Sequence, residues 1–88
     1  MPRKLLFSKD AAKFLERLDR PTFARFDAAI ARLRQNDPVD ATLDIKPLAG
    51  MSGHFRLRVG KYRMLYELRE EGVLIYAYKV APRGDVYK

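Results

Sequence analysis

The residues best suited to chemistry in this chain are three arginines that fall within one predicted β-hairpin. The segment from His54 to Tyr66 reads HFRLRVGKYRMLY, in which apolar and polar residues alternate before Gly60. Because strand side chains point to opposite faces in turn, one face carries apolar residues and the other carries polar ones. Gly60-Lys61 is a Gly-X pair typical of a two-residue type II′ turn, since glycine accepts the positive φ required there. The apolar set is Phe55, Leu57 and Val59, and the polar set is His54, Arg56 and Arg58.

Closing the hairpin at this turn places Arg58 directly opposite Arg63, on the face that also carries Arg56. The same register pairs Val59 with Tyr62 and Leu57 with Met64. Like charges facing each other across a ladder are destabilising by up to roughly 1 kcal/mol. A bound anion is the simplest reason for keeping this arrangement.

Arginines, tyrosines and one histidine suit phosphodiester chemistry. Guanidinium groups bind phosphate through paired hydrogen bonds and stabilise the charge that develops on phosphorus. Arginine transfers protons poorly because of its high pKa, so the candidates for that step are Tyr87, Tyr78 and His54. RNA is favoured as substrate because its own 2′-hydroxyl can be the nucleophile, and no metal or other cofactor is then needed. Tyrosines on an open sheet can also stack on unpaired bases.

Other kinds of active site find little support. The chain has one histidine, no cysteine and no HExxH or GxSxG pattern. Gly50 to Gly53 lacks the lysine of a phosphate-binding loop, and Glu70 and Glu71 are expected to be solvated in a turn. Two plainer interpretations stay open: Arg58 could be solvated or paired with Glu67 or Asp85, and Tyr87 could belong to a frayed terminus.

Length and composition indicate one domain over residues 1–88. The chain is 48% hydrophobic with a net charge of +7. The basic excess is greatest after residue 52, which favours nucleic acid or an acidic protein as partner. No apolar run approaches a membrane span, and the absence of cysteine favours a cytoplasmic setting.

The remaining elements predict an α+β fold with two N-terminal helices packed on one face of a curved, mainly antiparallel sheet. A strand over 3–7 precedes a helix capped by Ser8, and a second helix runs from about Thr22 to Arg34 after Pro21. Its core side carries Phe23, Phe26, Ile30 and Leu33. Residues 40–47 are interpreted as an irregular connection. If Leu68 pairs with Val73 in a last strand over 73–80, Tyr76 and Tyr78 lie on the arginine face while Val73, Ile75 and Ala77 join the core, as Tyr62 and Tyr66 do.

Three segments together resemble the RelE branch of the RelE/ParE toxin superfamily. They are Pro47-Leu48-Ala49-Gly50, the hairpin FRLRVGKYRMLY over 55–66, and PRGDVY over 82–87. The resemblance covers nearly the whole chain and implies the fold order β-α-α-β-β-β. It also implies a toxin of a type II toxin–antitoxin system that cleaves mRNA in the ribosomal A site without a metal, leaving a 2′,3′-cyclic phosphate.

The resemblance assigns roles to particular residues. Arg56, Arg58 and Arg63 hold the scissile phosphate, Arg83 faces the leaving oxygen, and Tyr87 stacks on the base or transfers a proton. Some members have lysine at 56 and 58, so proton transfer here shifts toward Tyr87 or His54. Many relatives have Gly-His-Arg where this chain has Ala81-Pro82-Arg83. The candidate RNA contacts are Lys61, Tyr76, Tyr78, Lys79 and His54.

The expected partners follow from the same family. They are mRNA on the ribosome and a RelB-like antitoxin whose acidic C-terminal segment neutralises the basic face in a heteromeric complex. Operator DNA is contacted only through the antitoxin, and no membrane is involved. Two alternatives stay open: a ParE-like inhibitor of DNA gyrase without nuclease activity, and a degenerate module that only binds antitoxin and aids repression.

Overall fold

A computed structural model describes residues 3–35 and 43–82 of the chain. These residues form a five-stranded sheet in the order β1-β5-β4-β3-β2 with two helices. The elements are β1 (Lys4–Phe7), α1 (Lys9–Glu16), α2 (Arg20–Arg34), β2 (Asp44–Pro47), β3 (His54–Val59), β4 (Tyr62–Arg69) and β5 (Leu74–Pro82), with a 3₁₀ turn at Glu70–Gly72.

The sheet is mixed, and its antiparallel pairs dominate. β2, β3, β4 and β5 pair antiparallel in sequence, whereas β1 pairs parallel to β5. The predicted α+β class is therefore confirmed. The prediction of an irregular connection up to Pro47 is wrong over its last four residues, which form β2 at the edge beside β3. A proline is tolerated there because an edge strand leaves one row of N–H groups unpaired.

The first helix begins where the sequence predicts, and the second begins slightly earlier. The Ser8 hydroxyl accepts a hydrogen bond from the Ala11 N–H, and the Asp19 carboxylate accepts one from the Thr22 N–H. Pro21 lies in the first turn of α2, where its missing N–H leaves no helical bond unmade. With Asp19 as the N-cap, α2 begins at Arg20, two residues before the predicted start.

The core lies between the helices and the apolar face of the sheet. Its largest fully buried side chains are Phe26, Leu57, Met64 and Ile75. Tyr62 packs its ring against Phe14 and Phe26, and Tyr66 is buried, as predicted. Phe23 was assigned to the core, but its side chain is 46% exposed. It lies one turn before Phe26, near the start of α2, at the rim of the core.

The pairing of β4 with β5 differs from the predicted register but preserves the predicted faces. Leu68 pairs with Ile75 rather than with Val73, a shift of two residues. Because the side-chain period is two, Tyr76 still lies on the arginine face and Ile75 and Ala77 still lie in the core. Val73 precedes the strand and is 49% exposed, so its assignment to the core is wrong.

A β-bulge in β5 reverses the alternation after Ala77. Tyr66 pairs with Ala77 and Leu65 pairs with Lys79, which leaves Tyr78 as the extra residue. Beyond the bulge, Val80 turns into the core and Lys79 lies on the arginine face. The bulge thus adds a cation to the basic side of the sheet.

Candidate active site

The predicted hairpin register is confirmed residue by residue. Val59 pairs with Tyr62, Leu57 with Met64, and Arg58 with Arg63. Gly60 has φ of +60°, while the non-glycine residues at positive φ in the described ranges are Glu70 and Glu71. Lys61 therefore has the negative φ that a type II′ turn requires.

The hairpin end of this face, defined as Arg58, Lys61 and Arg63, is strongly basic. Arg58 is exposed, and its Nε donates to the Gly60 carbonyl at 3.2 Å, which holds the guanidinium close to the turn. It forms no ion pair with any carboxylate in the described ranges. Glu67, one of its two predicted partners, contacts His54 and Arg69 instead. Lys61 is exposed, with Nζ 5.6 Å from the centre of the Tyr62 ring. The predicted contact of Arg58 with Asp85 lies outside the described residues.

Arg56 differs from Arg58 although both point to the same side of β3. Arg56 is only 5% exposed, and one of its terminal nitrogens donates to Asp44 Oδ1 at 2.6 Å. Among the described residues, its Nε has no hydrogen-bond partner. A buried guanidinium needs a carboxylate, because removing an unpaired charge from water is costly. Asp44 on β2 therefore neutralises one of the three predicted arginines.

The opposite part of the face, which we call the aromatic end, contains His54, Glu67, Arg69, Tyr76 and Tyr78. His54 Nδ1 lies 3.0 Å from the Tyr78 hydroxyl, and His54 Nε2 lies 3.5 Å from a Glu67 carboxylate oxygen. Arg69 Nε donates to the other Glu67 oxygen at 2.6 Å, and its guanidinium lies 4.2 Å from the Tyr76 ring centre. These contacts fix the rings and balance the local charge.

Proton transfer from the aromatic end to the hairpin end is limited by distance. Arg58 is four positions after His54 on β3, which is about 13 Å at a rise of about 3.3 Å per residue. Direct proton transfer needs a separation near 3 Å. Desolvation of the hydroxyl and the nearby Glu67 carboxylate both raise the pKa of Tyr78 above its usual value, which keeps the phenol neutral.

A small apolar cluster lies between the two ends. Leu65 and Ala81 are buried, with Leu48 and Tyr78 packed against them. Arg56 and Lys79 flank Leu65 on the neighbouring strands. The arginine face is therefore divided into two polar regions rather than being uniformly open.

The last two predicted catalytic residues, Arg83 and Tyr87, lie outside the described residues. The described part of β5 ends at Pro82, which pairs with Tyr62, while Ala81 pairs with Arg63. The last described residues of β5 therefore lie beside the hairpin end.

The prediction missed Asp44 and offered Glu67 to Arg58 rather than to Arg69. Asp44 and Glu67 each neutralise an arginine of this face. A signal for β2 exists in the alternation of Leu43 and Ile45 with Asp44 and Lys46, although Pro47 obscures it. The Glu67–Arg69 pair follows from i, i+2 spacing on one strand. Within the described ranges, no three His, Cys, Asp or Glu side chains converge as metal ligands would.

Comparison with known proteins places the chain in a family. A model described as "ParE toxin of type II toxin-antitoxin system, parDE" matches residues 5–87. The protein named "Putative toxin RelE1" of Methanocaldococcus jannaschii is 30% identical over 80 residues, which cover 91% of this chain and 89% of that protein. This chain belongs to the RelE/ParE toxin superfamily. The predicted resemblance is thereby confirmed.

Solved structures of RelE/ParE-superfamily toxins share the fold. The archaeal RelE–RelB complex from Pyrococcus horikoshii OT3 contains a chain that is 25% identical, with a TM-score of 0.81 over 97% of this chain and 99% of that one. The RelB–RelE complex from Methanococcus jannaschii contains one that is 28% identical, with a TM-score of 0.75 over 93% and 94%. The isolated E. coli RelE toxin, at 20% identity and a TM-score of 0.76 over 97% of this chain and 90% of that one, supports the fold alone.

Neither helix in residues 3–35 and 43–82 is long and apolar enough to cross a membrane.

Proposed function

We propose that this protein is an endoribonuclease toxin that cleaves mRNA in the ribosomal A site and thereby stops translation. The observation that supports this most strongly is the placement of Arg58 directly opposite Arg63 at the hairpin end. Two guanidinium groups carry ten N–H donors in all, and each group can bind a phosphate through a pair of parallel hydrogen bonds. Like charges directly opposite each other on a ladder repel, and an anion bound between them relieves that repulsion.

The proposed reaction is an internal transesterification of RNA. The 2′-oxygen forms a bond to the adjacent phosphorus, and the bond from phosphorus to the 5′-oxygen of the next nucleotide breaks. A base removes the 2′-hydroxyl proton, and an acid gives a proton to the departing 5′-oxygen. The products are a 2′,3′-cyclic phosphate and a 5′-hydroxyl, so no water or metal ion enters the equation.

The arginines take different parts in this proposal. Arg58 and Arg63 bind the scissile phosphate and stabilise its transition-state charge. Arg56, already paired with Asp44, acts as a positioning residue that helps fix β2 against β3. From the family resemblance, Arg83 faces the leaving oxygen. Tyr87 carries the proton transfer, because His54 is about 13 Å from Arg58 along β3 and the Tyr78 hydroxyl lies against His54.

The aromatic end binds RNA in this scheme rather than reacting with it. Tyr76 and Tyr78 offer rings on the same face as the arginines, and stacking on a base contributes about 1–3 kcal/mol each. Lys79 and Lys61 lie exposed on either side of the phosphate site, where they attract backbone phosphates. His54 holds Tyr78 through its ring nitrogen.

The natural inhibitor is expected to be a RelB-like antitoxin. RelE chains form complexes with RelB in the structures from Pyrococcus horikoshii and Methanococcus jannaschii. For this chain we propose a heteromeric complex in which an acidic C-terminal segment of the antitoxin covers the basic face. Operator DNA would be bound through the antitoxin alone.

Cleavage of mRNA on programmed ribosomes tests the proposal. Purified toxin is added to ribosomes that carry a defined mRNA with an empty A site, and the new RNA ends are analysed. The proposal predicts cleavage that leaves 2′,3′-cyclic phosphate and 5′-hydroxyl ends, the products of attack by the 2′-oxygen. Intact mRNA with correctly folded wild-type toxin would refute it.

A second candidate is a gyrase inhibitor without nuclease activity, which the ParE description of the family model favours. Supercoiling by purified DNA gyrase, assayed with the same toxin preparation, distinguishes the two. Inhibited supercoiling with intact mRNA would establish the second candidate in place of the first.

A further inference from the structure

A carboxylate lies beside the hairpin end, on the strand next to Arg58. Asp44 of β2 pairs directly with Arg58 of β3, and Arg58 pairs directly with Arg63 of β4. Directly opposed residues of antiparallel strands point to the same side, so the carboxylate and both guanidinium groups share one face of the sheet. The described strands carry one other carboxylate, Glu67, which pairs with His54 at the aromatic end. Asp44 is therefore the acidic residue of the sheet that lies beside the proposed phosphate site.

Arg56 holds the Asp44 carboxylate by one of its two oxygens. A terminal nitrogen of the Arg56 guanidinium donates to Asp44 Oδ1 at 2.6 Å. An ionised carboxylate accepts hydrogen bonds through both oxygens, so Oδ2 can accept a proton while the ion pair is kept. The Asp44 side chain is 47% exposed, whereas that of Arg56 is 6% exposed. The buried arginine therefore fixes a carboxylate that a bound RNA can reach.

The charged side chains that neighbour Asp44 on this face of the sheet are cations. Arg56 and Arg58 lie on β3, and Lys46 lies two residues further along β2. Arg58 Nε donates to the Gly60 carbonyl at 3.2 Å, which turns this guanidinium toward the hairpin turn. Arg56 is thus the arginine that binds Asp44, although Arg58 is the one directly opposite it.

Four residues from four strands form one row across the sheet. Asp44, Arg58, Arg63 and Ala81 follow one another through three cross-strand pairs, at about 4.8 Å from strand to strand. A phosphate held by the two arginines has Asp44 on one side and the last described residues of β5 on the other. Displacement at phosphorus proceeds with the entering and leaving oxygens roughly in line. The base that serves the entering oxygen and the acid that serves the leaving oxygen therefore belong on opposite sides of the phosphate.

We propose that Asp44 is the general base of the cleavage reaction. The inference rests on the proposed function and deepens it by dividing the two proton transfers between two groups. Asp44 Oδ2 takes the proton of the 2′-hydroxyl while the 2′-oxygen forms its bond to phosphorus. The bond from phosphorus to the 5′-oxygen breaks, and Tyr87 gives a proton to that oxygen. Water then takes the proton from Asp44 and returns one to Tyr87, so both groups regain their starting states.

Asp44→Asn tests the assignment, with Asp27→Asn as the matched control. Both changes replace a carboxylate by an amide of nearly the same shape. Asp27 is an exposed residue of α2 that lines a separate, largely apolar groove with Phe23 and Ile30. Single-turnover cleavage of mRNA on programmed ribosomes is measured from about pH 6 to about pH 8. Binding is measured with ribosomes that carry 2′-O-methyl mRNA, which has no free 2′-hydroxyl and is not cleaved.

Loss of a general base changes both the rate of cleavage and its dependence on pH. Asp44→Asn should lower the rate at pH 7 by at least about 100-fold, the lower end of what such a base contributes, without weakening ribosome binding. Its log rate should rise by about one per pH unit, because hydroxide must then remove the proton. The wild type and Asp27→Asn should have nearly constant rates, since carboxylates are ordinarily ionised above about pH 5.

A second pair of variants removes the carboxylate without leaving a buried charge unpaired. Asp44→Asn deprives the buried Arg56 of its carboxylate, which is expected to destabilise the fold. Arg56→Met and Arg56→Met/Asp44→Asn both lack the guanidinium and differ only in the carboxylate. The double variant should cleave at least about tenfold more slowly than Arg56→Met and show the steeper pH dependence. Circular dichroism checks that every variant folds.

Matching rates for Asp44→Asn and Asp27→Asn, or for the double variant and Arg56→Met, would overturn the inference. A slower Asp44→Asn whose pH profile runs parallel to that of the wild type would overturn it too, because Asp44 would then have a structural role. So would tighter ribosome binding at an unchanged rate, which would mean that Asp44 only repels the phosphate. In each case, wild-type cleavage that is lost in Arg63→Ala would leave the proposed function standing. Absence of cleavage by correctly folded wild-type toxin would instead refute both.

Discussion

The two ends of the arginine face differ in how their charge is balanced. At the aromatic end, Glu67 contacts both His54 and Arg69, and the Arg69 guanidinium lies against the Tyr76 ring. At the hairpin end, Arg58 faces Arg63 and forms no ion pair with a described carboxylate. A face that balances charge at one end and concentrates it at the other is suited to hold a strand of RNA by its bases and its phosphates separately.

The largest expected effect comes from removing the cation at the centre of the hairpin end. Arg63→Ala should lower the rate of mRNA cleavage on ribosomes by at least about 100-fold, as loss of one donor to a developing negative charge does in other enzymes. Toxicity should disappear while antitoxin binding stays largely intact. Single-turnover cleavage and an antitoxin pull-down measure the two properties.

Arg69→Ala is the matched control for this comparison, because it removes an arginine from the aromatic end of the same strand. It should change the cleavage rate by less than about tenfold, since Arg69 is paired with Glu67 and distant from the phosphate site. Equal losses in Arg63→Ala and Arg69→Ala would contradict the division of the face into two ends.

Stacking at the aromatic end predicts a smaller effect. Tyr76→Ala should weaken binding of single-stranded RNA about tenfold, within the range of about 1–3 kcal/mol for one base stack. Tyr76→Phe keeps the ring and should bind as the wild type does. Fluorescence anisotropy with 2′-O-methyl RNA measures both affinities. If Tyr76→Phe bound RNA as weakly as Tyr76→Ala does, the hydroxyl rather than ring stacking would account for the contribution of Tyr76.

The Arg56–Asp44 pair shows through protein stability how much charge balance matters on this face. Asp44→Ala leaves the guanidinium of Arg56 buried without its carboxylate, which costs about 1–2 kcal/mol of unfolding free energy after allowing for the half-exposed aspartate. Urea unfolding of Asp44→Ala, Arg56→Ala and the double variant gives the coupling energy. Additive effects would mean that the two groups do not stabilise each other.

Features that depend on neighbouring residues could be predicted from the sequence, and features that depend on distant residues could not. The hairpin was predicted to the residue, because a two-residue turn and a period of two fix both its register and its faces. The cap of α1 by Ser8 and the position of Pro21 in the first turn of α2 were also predicted from local signals, whereas the cap by Asp19 was not. By contrast, the bulge at Tyr78 and the contact of Tyr78 with His54 depend on residues 24 positions apart. No local pattern specifies that pairing.

The sequence predicted which arginines of the hairpin share a face, but not which of them are paired with a carboxylate. Asp44 was assigned to an irregular segment, so its position beside Arg56 could not be anticipated. The helical pattern of α2 does not indicate that Arg25 reaches the turn at Gly60. Which cations are neutralised depends on the tertiary arrangement of four elements, and the sequence does not display that arrangement.

The smallest predicted effect concerns alkaline stability. Burial raises the pKa of Tyr66 to about 12 from its ordinary value of about 10. The unfolded chain then loses the Tyr66 proton before the folded chain does, so stability falls as pH rises through this interval. Between pH 9 and pH 11, the free energy of unfolding of Tyr66→Phe should fall by about 1 kcal/mol less than that of the wild type, as measured by urea unfolding. Parallel pH profiles for the two proteins would contradict the assignment.

The most direct test of the whole account is primer-extension mapping of cellular mRNAs after induced expression in bacteria, comparing wild type with Arg63→Ala. The account predicts cuts within translated regions, at codon-phased positions, that are absent from the Arg63→Ala cells. Growth arrest by the wild type with uncut mRNA, or cuts that persist in Arg63→Ala, would contradict the claim that the hairpin end cleaves mRNA on the ribosome.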